Sequence, residues 1–426
     1  MGTKTQKLSN VVDQIIEWQS VFTGDGSTGL TAVAGRGYFI DTTSGTFTVT
    51  LPGSAKVGDT IALKDYNGTW GTNNVTISST LKISGADADG TLSTNNTTVT
   101  IVYMDTTKGW TPIQNSTQSA LASDDAYVTA TGGTVTTSGD YKIHTFTGDG
   151  CFVVSCAGNP GGSDTVDYLV VAGGGAGGND RGGGGGAGGV RFYASPDITS
   201  YPSSPRNGPG AIAVSTTTYP ITVGGGAAQQ PGFCGSAGGG SNSIFATITS
   251  TGGGGGGNGQ PSNSNAGNGG SGGGSRDACG VLAGSGNTPP VSPPQGSSGG
   301  PWSTPGVAGG GGGFMAVGGT GGAQPATPSN GNGGIGGGFP TTFVGTNGEP
   351  SGCQQYFGGG GAGGTCNQAN PFAGLGGGGI GNPPANPADA KGDANTGGGG
   401  GGGQNGNTEG GAGGKGIVII RYKFQN

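Results

Sequence analysis

Gly182-Gly183-Gly184-Gly185-Gly186-Ala187-Gly188-Gly189 is eight residues of backbone carrying one methyl group. The same text returns at 172–178, 252–259, 267–274, 309–313, 318–322, 331–338, 358–364, 374–381, 397–403 and 410–416. A glycine run can adopt an extended left-handed three-fold helix rising about 3.1 Å per residue, so a run of this length spans roughly 25 Å. That helix has no internal hydrogen bonds, and its N–H and C=O groups point outward in three directions. When buried, they must find partners. Glycine helices laid side by side satisfy one another, because no side chain holds the backbones apart. Runs of similar length separated by loops are what such a lattice needs. Interior helices are then nearly pure glycine, and outer ones carry a side chain on the face that looks outward; Ala176 and Ala187 are expected there.

The rival reading is a flexible glycine-rich linker, since ordering glycine costs more entropy than ordering any other residue. Against it stand the repeated run length, the sparse serine within runs, and the aromatics and prolines gathered at the breaks, as in Pro289-Pro290-Val291-Ser292-Pro293-Pro294 and Gly300-Pro301-Trp302. A silk- or collagen-like fibre fits worse, because no strict G-X-Y period or poly-Ala block exists.

Composition divides the chain in two. Of 108 glycines in 426 residues, 22 fall in residues 1–166 and 86 in 167–426. The net charge of −6 sits wholly in the first part, while the second carries 8 Lys/Arg and 8 Asp/Glu. With no basic run, the chain lacks the clustered Lys/Arg that nucleic acid demands, and no nucleic-acid partner is expected. Its longest apolar stretches, 168–172 and 417–420, are strand-sized, far short of the roughly 20 residues of a membrane span. Lys4 and Lys7 precede no continuous apolar core, so a cleaved signal peptide is not expected and synthesis in a cytoplasm is.

Before the glycine region the text is that of short strands. Leu8, Val11, Val12, Ile15 and Ile16 first mark a short amphipathic helix, which must pack on a partner chain or on its own following domain. Strands are then predicted at 38–41, 47–51, 60–64, 75–78, 99–103 and 110–113, broken by Pro52-Gly53, Asn67-Gly68, Asp89-Gly90 and Lys108-Gly109. A second set lies at 127–129, 141–146, 151–155 and 167–171, with Gly148-Asp149-Gly150 read as a hairpin-like turn. Ile417-Val418-Ile419-Ile420 closes the chain as a strong strand. The fold expected is mainly β: a short N-terminal helix and attachment segment at 1–30, a β-sandwich-like module at 31–120, a β domain from 121–172 plus 416–426, and packed polyglycine II helices with long loops at 173–415.

Several motifs imitate chemistry. The strand at 168–172 followed by Gly173-Gly174-Gly175-Ala176-Gly177-Gly178 copies a dinucleotide fingerprint, but the required helix cannot form from glycine, each residue of which costs about 1 kcal/mol. Gly269-Gly270-Ser271-Gly272-Gly273 lacks the apolar strand and helix of a nucleophile elbow, and Gly414-Lys415-Gly416 lacks the Ser or Thr of a phosphate loop. Asp87-Ala88-Asp89-Gly90 opens like a calcium loop and is not completed. His144 is the sole histidine, and the cysteines 151, 156, 234, 279, 353 and 366 form no C-x-x-C pair, so a zinc site is not expected. Free thiols are expected, with a Cys353–Cys366 bond left undetermined. Paired carboxylates such as Asp124 and Asp125 are the material for glycoside cleavage, which leaves a polysaccharide depolymerase as a minor reading. No catalytic residue, cofactor or metal is assigned.

The stretches Gly35-Arg36-Gly37-Tyr38-Phe39-Ile40-Asp41-Thr42-Thr43, Phe47-Thr48-Val49-Thr50-Leu51-Pro52, Gly58-Asp59 and Lys108-Gly109-Trp110 resemble a module of virion fibre proteins in tailed bacteriophages, especially those infecting marine cyanobacteria. Asp140 to Gly150, Asp167-Tyr168-Leu169-Val170-Val171-Ala172-Gly173-Gly174-Gly175 and Gly416-Ile417-Val418-Ile419-Ile420-Arg421-Tyr422 resemble the glycine-rich domain of such tail fibres, with Cys151 and Cys156 departing from the pattern. The resemblance implies a virion adhesin that forms a homotrimer. It joins other tail proteins through its N-terminus and binds a host cell-surface polysaccharide or outer-membrane protein through loops at one end of a glycine lattice. The alternative is a purely structural virion component, such as a head fibre or connector. Glycine runs expose only backbone, so recognition falls to the loops, whose rings Tyr193, Tyr201, Trp302, Phe339, Phe343, Tyr356, Phe357 and Phe372 are the receptor-binding candidates. The few loop charges, Arg206, Arg276, Asp277 and Glu349, stand beside them.

Overall fold

A computed structural model describes residues 16–117, 126–229, 237–259, 264–277, 280–322, 330–366, 371–381, 387–406 and 408–425. It is mainly β, with 31% strand and 2% helix. The chain forms two compact units, Met1–Ser123 and Asp124–Asn426. The amphipathic stripe from Leu8 to Ile15 lies outside the described residues; the remainder of the expected attachment segment holds short strands, Glu17–Trp18, Phe22–Thr23 and Gly29–Thr31.

The first unit winds between two sheets. Gly29–Thr31, Phe47–Thr50 and Val75–Ser78 pair in parallel in one sheet. Glu17–Trp18, Arg36–Asp41 and Thr60–Asp65 do so in the other, which Thr97–Tyr103 and Trp110–Thr117 extend antiparallel. Alternation sends Phe47 and Val49 inward and Thr48 and Thr50 to solvent, and the inner faces share a core with Trp70 and Trp110 both at 0% exposure. The turn at Asn67-Gly68 is held by Asp65, whose carboxylate accepts the amides of Gly68 at 3.0 Å, Thr69 at 3.2 Å and Asn96 at 2.8 Å. Gly109 (φ +68°) has Lys82 O only 1.8 Å from where a Cβ would stand, so no other residue fits before Trp110.

In the second unit Ile417–Lys423 lies between Tyr141–Phe146 and Thr165–Val171, antiparallel to both. The strands that bracket the glycine runs in sequence are therefore hydrogen-bonded neighbours. Val418, Ile420 and Tyr422 face a second sheet built from Val128–Thr131, Gly150–Ala157, Thr218–Thr222, Ser243–Phe245 and Ile248–Ser250. Ile417 and Ile419 face the opposite way, toward Phe192, Phe314, Phe339, Phe343 and Phe357. Burial on both faces explains the unbroken apolar text of this strand. The turn at 148–150 does not close a hairpin: Tyr141–Phe146 and Gly150–Ala157 belong to different sheets. It crosses between them, so that Phe146 and Phe152 meet in one core.

His144 lies in this sheet at 0% exposure. Its Nδ1 is 2.7 Å from Gly132 O and its Nε2 3.1 Å from the Tyr422 hydroxyl. A carbonyl only accepts, so Nδ1 donates and Nε2 accepts from the tyrosine. The sole histidine is a core polar residue.

From the sheet the glycine runs extend as a lattice. Run 182–189 donates with a period of three. Gly183 and Gly186 reach Gly257 and Gly254 at 2.9 and 2.8 Å; Gly184 and Ala187 reach Gly309 and Gly312 at 3.0 and 2.9 Å; Gly185 and Gly188 reach Gly400 and Gly397 at 2.7 and 2.8 Å. Its carbonyls accept from three further runs: Gly184 O from Gly274, Gly185 O from Gly361 and Gly186 O from Gly175. The run is thus surrounded by neighbours on every side, as the three-fold backbone dictates. A Cβ on Gly184, Gly185 or Gly186 would lie 2.0, 2.2 or 2.3 Å from a carbonyl oxygen. Ala176 and Ala187 are not outward-facing, as expected from sequence, but at 0% exposure. Their runs are interior ones, ringed by other backbones, so no face looks to solvent.

Two outcomes follow from these contacts. Gly184→Ala should cost about 3 kcal/mol or more by overpacking, while Gly225→Ala, where nothing lies within 4 Å of the new Cβ, should leave the unfolding enthalpy and melting temperature in calorimetry nearly unchanged. Burial holds the His144 pKa below its ordinary 6.5, so below that pH the unfolded chain binds a proton that the native state does not. Stability is then lost as pH falls, and the wild-type melting temperature should drop between about pH 7 and about pH 5 more steeply than that of His144→Gln.

Candidate functional site

The runs that meet strands at 171, 190 and 417 have one end against the sheet, and their turns at 179–181 and 405–406 mark the outer end. Loops gather there, and a buried carboxylate ties them. Asp277, 4% exposed, follows run 267–274 after Ser275 and Arg276. Its Oδ1 accepts the Trp302 indole N–H at 3.0 Å and the Gly306 amide at 3.1 Å. Its Oδ2 accepts the Cys366 thiol at 3.1 Å and lies 3.6 Å from Arg181 Nη1. One side chain thereby ties its own segment to three other parts of the sequence. Arg181 sits in the turn that joins the first two glycine helices, where it and Asp180 adopt left-handed φ of +57° and +46°. Such backbone persists where surroundings over-determine it. Here Asp180 N donates to Thr408 O at 3.1 Å, Asn179 N to Asn258 Oδ1 at 2.8 Å, and Gly410 N to Asn179 Oδ1 at 2.8 Å.

The lattice and most strands of the two sheets that carry it fall within a stretch, residues 149–423, that matches the model of a glycine-rich domain; Val128–Thr131, Thr134–Ser138 and Tyr141–Phe146 precede it. The chain belongs to the glycine-rich domain family. No curated protein matches it.

Within this glycine-rich domain the eight expected recognition rings separate. Tyr201, Phe339, Phe343 and Phe357 are buried, at 6% exposure or less. Phe339 packs edge-on against Phe192 at 4.8 Å and Tyr201 lies stacked on it at 6.0 Å, and burial pushes the Tyr201 hydroxyl up to about 12. These four are corrected from surface rings to core: the second face of the sheet needs apolar cover, and segment 337–357 supplies it. Tyr193 and Tyr356 are half-buried, the first against the inter-sheet core and the second over Gly338. Trp302, half-buried, and Phe372, 69% exposed, belong to outer loops. Phe372 is held by its amide, which donates to Asn332 Oδ1 at 2.9 Å. The structure therefore does not bring the eight together; it puts Asp277, one of the loop charges noted in the sequence, at the centre of the hub and adds Cys366, to which the aromatic pattern gives no pointer. The signal in the sequence was a lone carboxylate in nearly uncharged text.

Among the described residues Cys151, Cys156, Cys353 and Cys366 are free, so Cys353 and Cys366 are not joined; Cys234, Cys279, Asp124 and Asp125 lie outside those residues. Also among them, no group of His, Cys, Asp and Glu could hold a metal ion, and no helix is long and apolar enough to cross a membrane.

Burial and then the neighbouring Asp277 carboxylate push the Cys366 thiol up. Since the thiolate is the nucleophile, iodoacetamide near pH 8 should modify exposed Cys353 well before Cys366, read by peptide mass spectrometry. Asp277→Asn should bring the two rates together.

Proposed function

We propose that this glycine-rich domain protein is a tail-fibre adhesin of a tailed bacteriophage, attaching the virion to its host through loops at the outer end of the lattice. The observation that carries this reading is the Asp277 hub. It holds loops from distant parts of the chain rigid and fixes the Trp302 ring by its N–H. Pre-ordering several loops lowers the cost of binding. Phe372 offers a second, exposed ring. The sequence likeness to cyanophage fibre proteins supports the same reading and extends it: a homotrimer, joined to other tail proteins through the N-terminal unit. The receptor is a host cell-surface polysaccharide or an outer-membrane protein, and the protein works by binding without catalysis.

Purified protein should block adsorption of the parent phage, and Trp302→Ala with Phe372→Ala should weaken that block by roughly tenfold or more, as loss of anchor rings does. Melting temperature should change little. Periodate treatment of the host cells abolishes adsorption if the receptor is a polysaccharide, and protease treatment does so if it is a protein. If the wild-type protein fails to compete at all, the purely structural virion role takes its place.

A further inference from the structure

Asparagine stands directly before glycine at eight places in this chain. At such a pair a polypeptide attacks itself most readily: the backbone nitrogen of the second residue reaches the side-chain carbonyl carbon of the first, and glycine has no Cβ in the way. Two conditions must hold in a folded protein. The glycine N–H must be free of a hydrogen bond, because it reacts after losing its proton, and the asparagine side chain must be free to swing onto it. Six places fail the first condition. Gly68 N donates to Asp65 Oδ1 at 3.0 Å; Gly208 N donates to Phe192 O at 2.9 Å, Gly259 N to Asn179 O at 3.0 Å, Gly269 N to Ser285 O at 3.1 Å, Gly331 N to Thr320 O at 3.0 Å and Gly333 N to Phe372 O at 2.9 Å. Asn347 fails the second, since its Nδ2 donates to Val344 O at 2.8 Å and to Thr145 Oγ1 at 3.2 Å.

Asn405-Gly406 meets both. The pair forms the turn between runs 397–403 and 410–416, and both residues are exposed. Among the described residues no hydrogen bond engages the Asn405 side chain or the Gly406 N–H. A Cβ on Gly406 would meet nothing within 4 Å, so the space around the reacting nitrogen is open. The base of the turn, by contrast, is fixed: Asn405 N donates to Thr365 O at 3.0 Å, and the Thr408 hydroxyl donates to Gln404 O at 2.7 Å. The seven other pairs are locked by the fold, and this one projects from an anchored stem.

We infer that Asn405 is a self-modification site of the folded protein, converted to aspartate and isoaspartate by attack of the Gly406 nitrogen. The bond from Gly406 N to Asn405 Cγ forms as the bond from Cγ to Nδ2 breaks, and ammonia leaves with the proton that the backbone amide gave up. Water then opens the cyclic imide at either of its carbonyls. One opening restores the ordinary backbone with an aspartate side chain; the other routes the backbone through the side chain and leaves the carboxylate on the Cα. Either product adds a negative charge at the outer end of a chain whose net charge is −6. The isoaspartyl form also lengthens the turn beside Thr365, which precedes Cys366 of the Asp277 hub. The reaction needs only the turn and water, so it stands independently of the adhesin reading.

The test incubates the full-length chain at mildly alkaline pH, well below its melting temperature, and follows each Asn-Gly peptide by mass spectrometry. The same chain kept in denaturant supplies the reference rate for every pair. Asn405 should react in the folded protein within a few-fold of its denatured rate, while Asn207, Asn258 and Asn268 should slow by at least roughly tenfold, because their glycine amides must first open. Isoaspartate, counted by enzymatic methyl transfer, should accumulate mainly at position 405. Asn405→Gln, whose longer side chain must close a larger ring, should remove most of that signal and leave the melting temperature unchanged. A folded chain in which Asn405 reacts no faster than Asn258, or an isoaspartate yield unchanged by Asn405→Gln, would overturn the site.

Discussion

Everything in the second unit depends on one hydrogen bond repeated: a glycine amide of one three-fold helix donating to a carbonyl of the next. In a sheet each strand has two neighbours in the bonding plane. Here run 182–189 bonds to runs on all sides, because three residues per turn aim successive N–H groups in three directions. The separation this requires leaves no room for a Cβ, which at Gly184 would stand 2.0 Å from the Gly361 carbonyl oxygen. Glycine is demanded by backbone proximity and not by turn geometry, and the entropy it loses on ordering is offset by amides that are nearly all partnered.

A lattice of side-chain-free helices has little apolar surface of its own, so it needs an anchor that the hydrophobic effect can hold. The six-stranded sheet provides it. Leu169, Val171, Ile417 and Ile419 pack under Phe192, Phe314, Phe339, Phe343 and Phe357, while the opposite face closes on Phe152 and Phe245. At the strand termini the chain passes directly from ladder to lattice, as at Val171-Ala172 and Gly416-Ile417. A second polar device reinforces the sheet: Arg421, 2% exposed, pairs with Asp167 at 2.7 Å and with Asp197, and lies over the Tyr141 ring at 3.4 Å. At the outer end Asp277 performs the same tethering with a single carboxylate.

Much of this was legible in the sequence. Period-two alternation marks Phe47–Thr50, a double-sided apolar run marks Ile417–Lys423, and repeated glycine runs mark the lattice, because each pattern records a local constraint. What was not legible is long-range. Nothing near Ala176 or Ala187 tells whether a run is interior, since that is decided by which other runs surround it. Nor does the text around Phe339 and Phe357 say that they cover a sheet whose strands lie far away in the chain. The aromatics were visible as a class; only the fold sorts Tyr201, Phe339, Phe343 and Phe357 into the core and leaves Trp302 and Phe372 outside. The crossing at 148–150 escaped for a similar reason, because a short turn between strands looks the same whether its strands pair with each other or with other partners.

The central claim is that the glycine runs are an ordered hydrogen-bonded solid, and amide hydrogen exchange tests it most directly. Glycine-selective nitrogen labelling of the full chain, followed by transfer into heavy water, reports each run by its own amides. Gly183 to Gly186, bonded at 2.7 to 3.0 Å on three sides, should be protected to the same degree as the amides of Ile417–Lys423, since both open only with the unit as a whole. Exchange of those glycines at the rate of an unstructured peptide, with the strand still protected, would contradict the lattice.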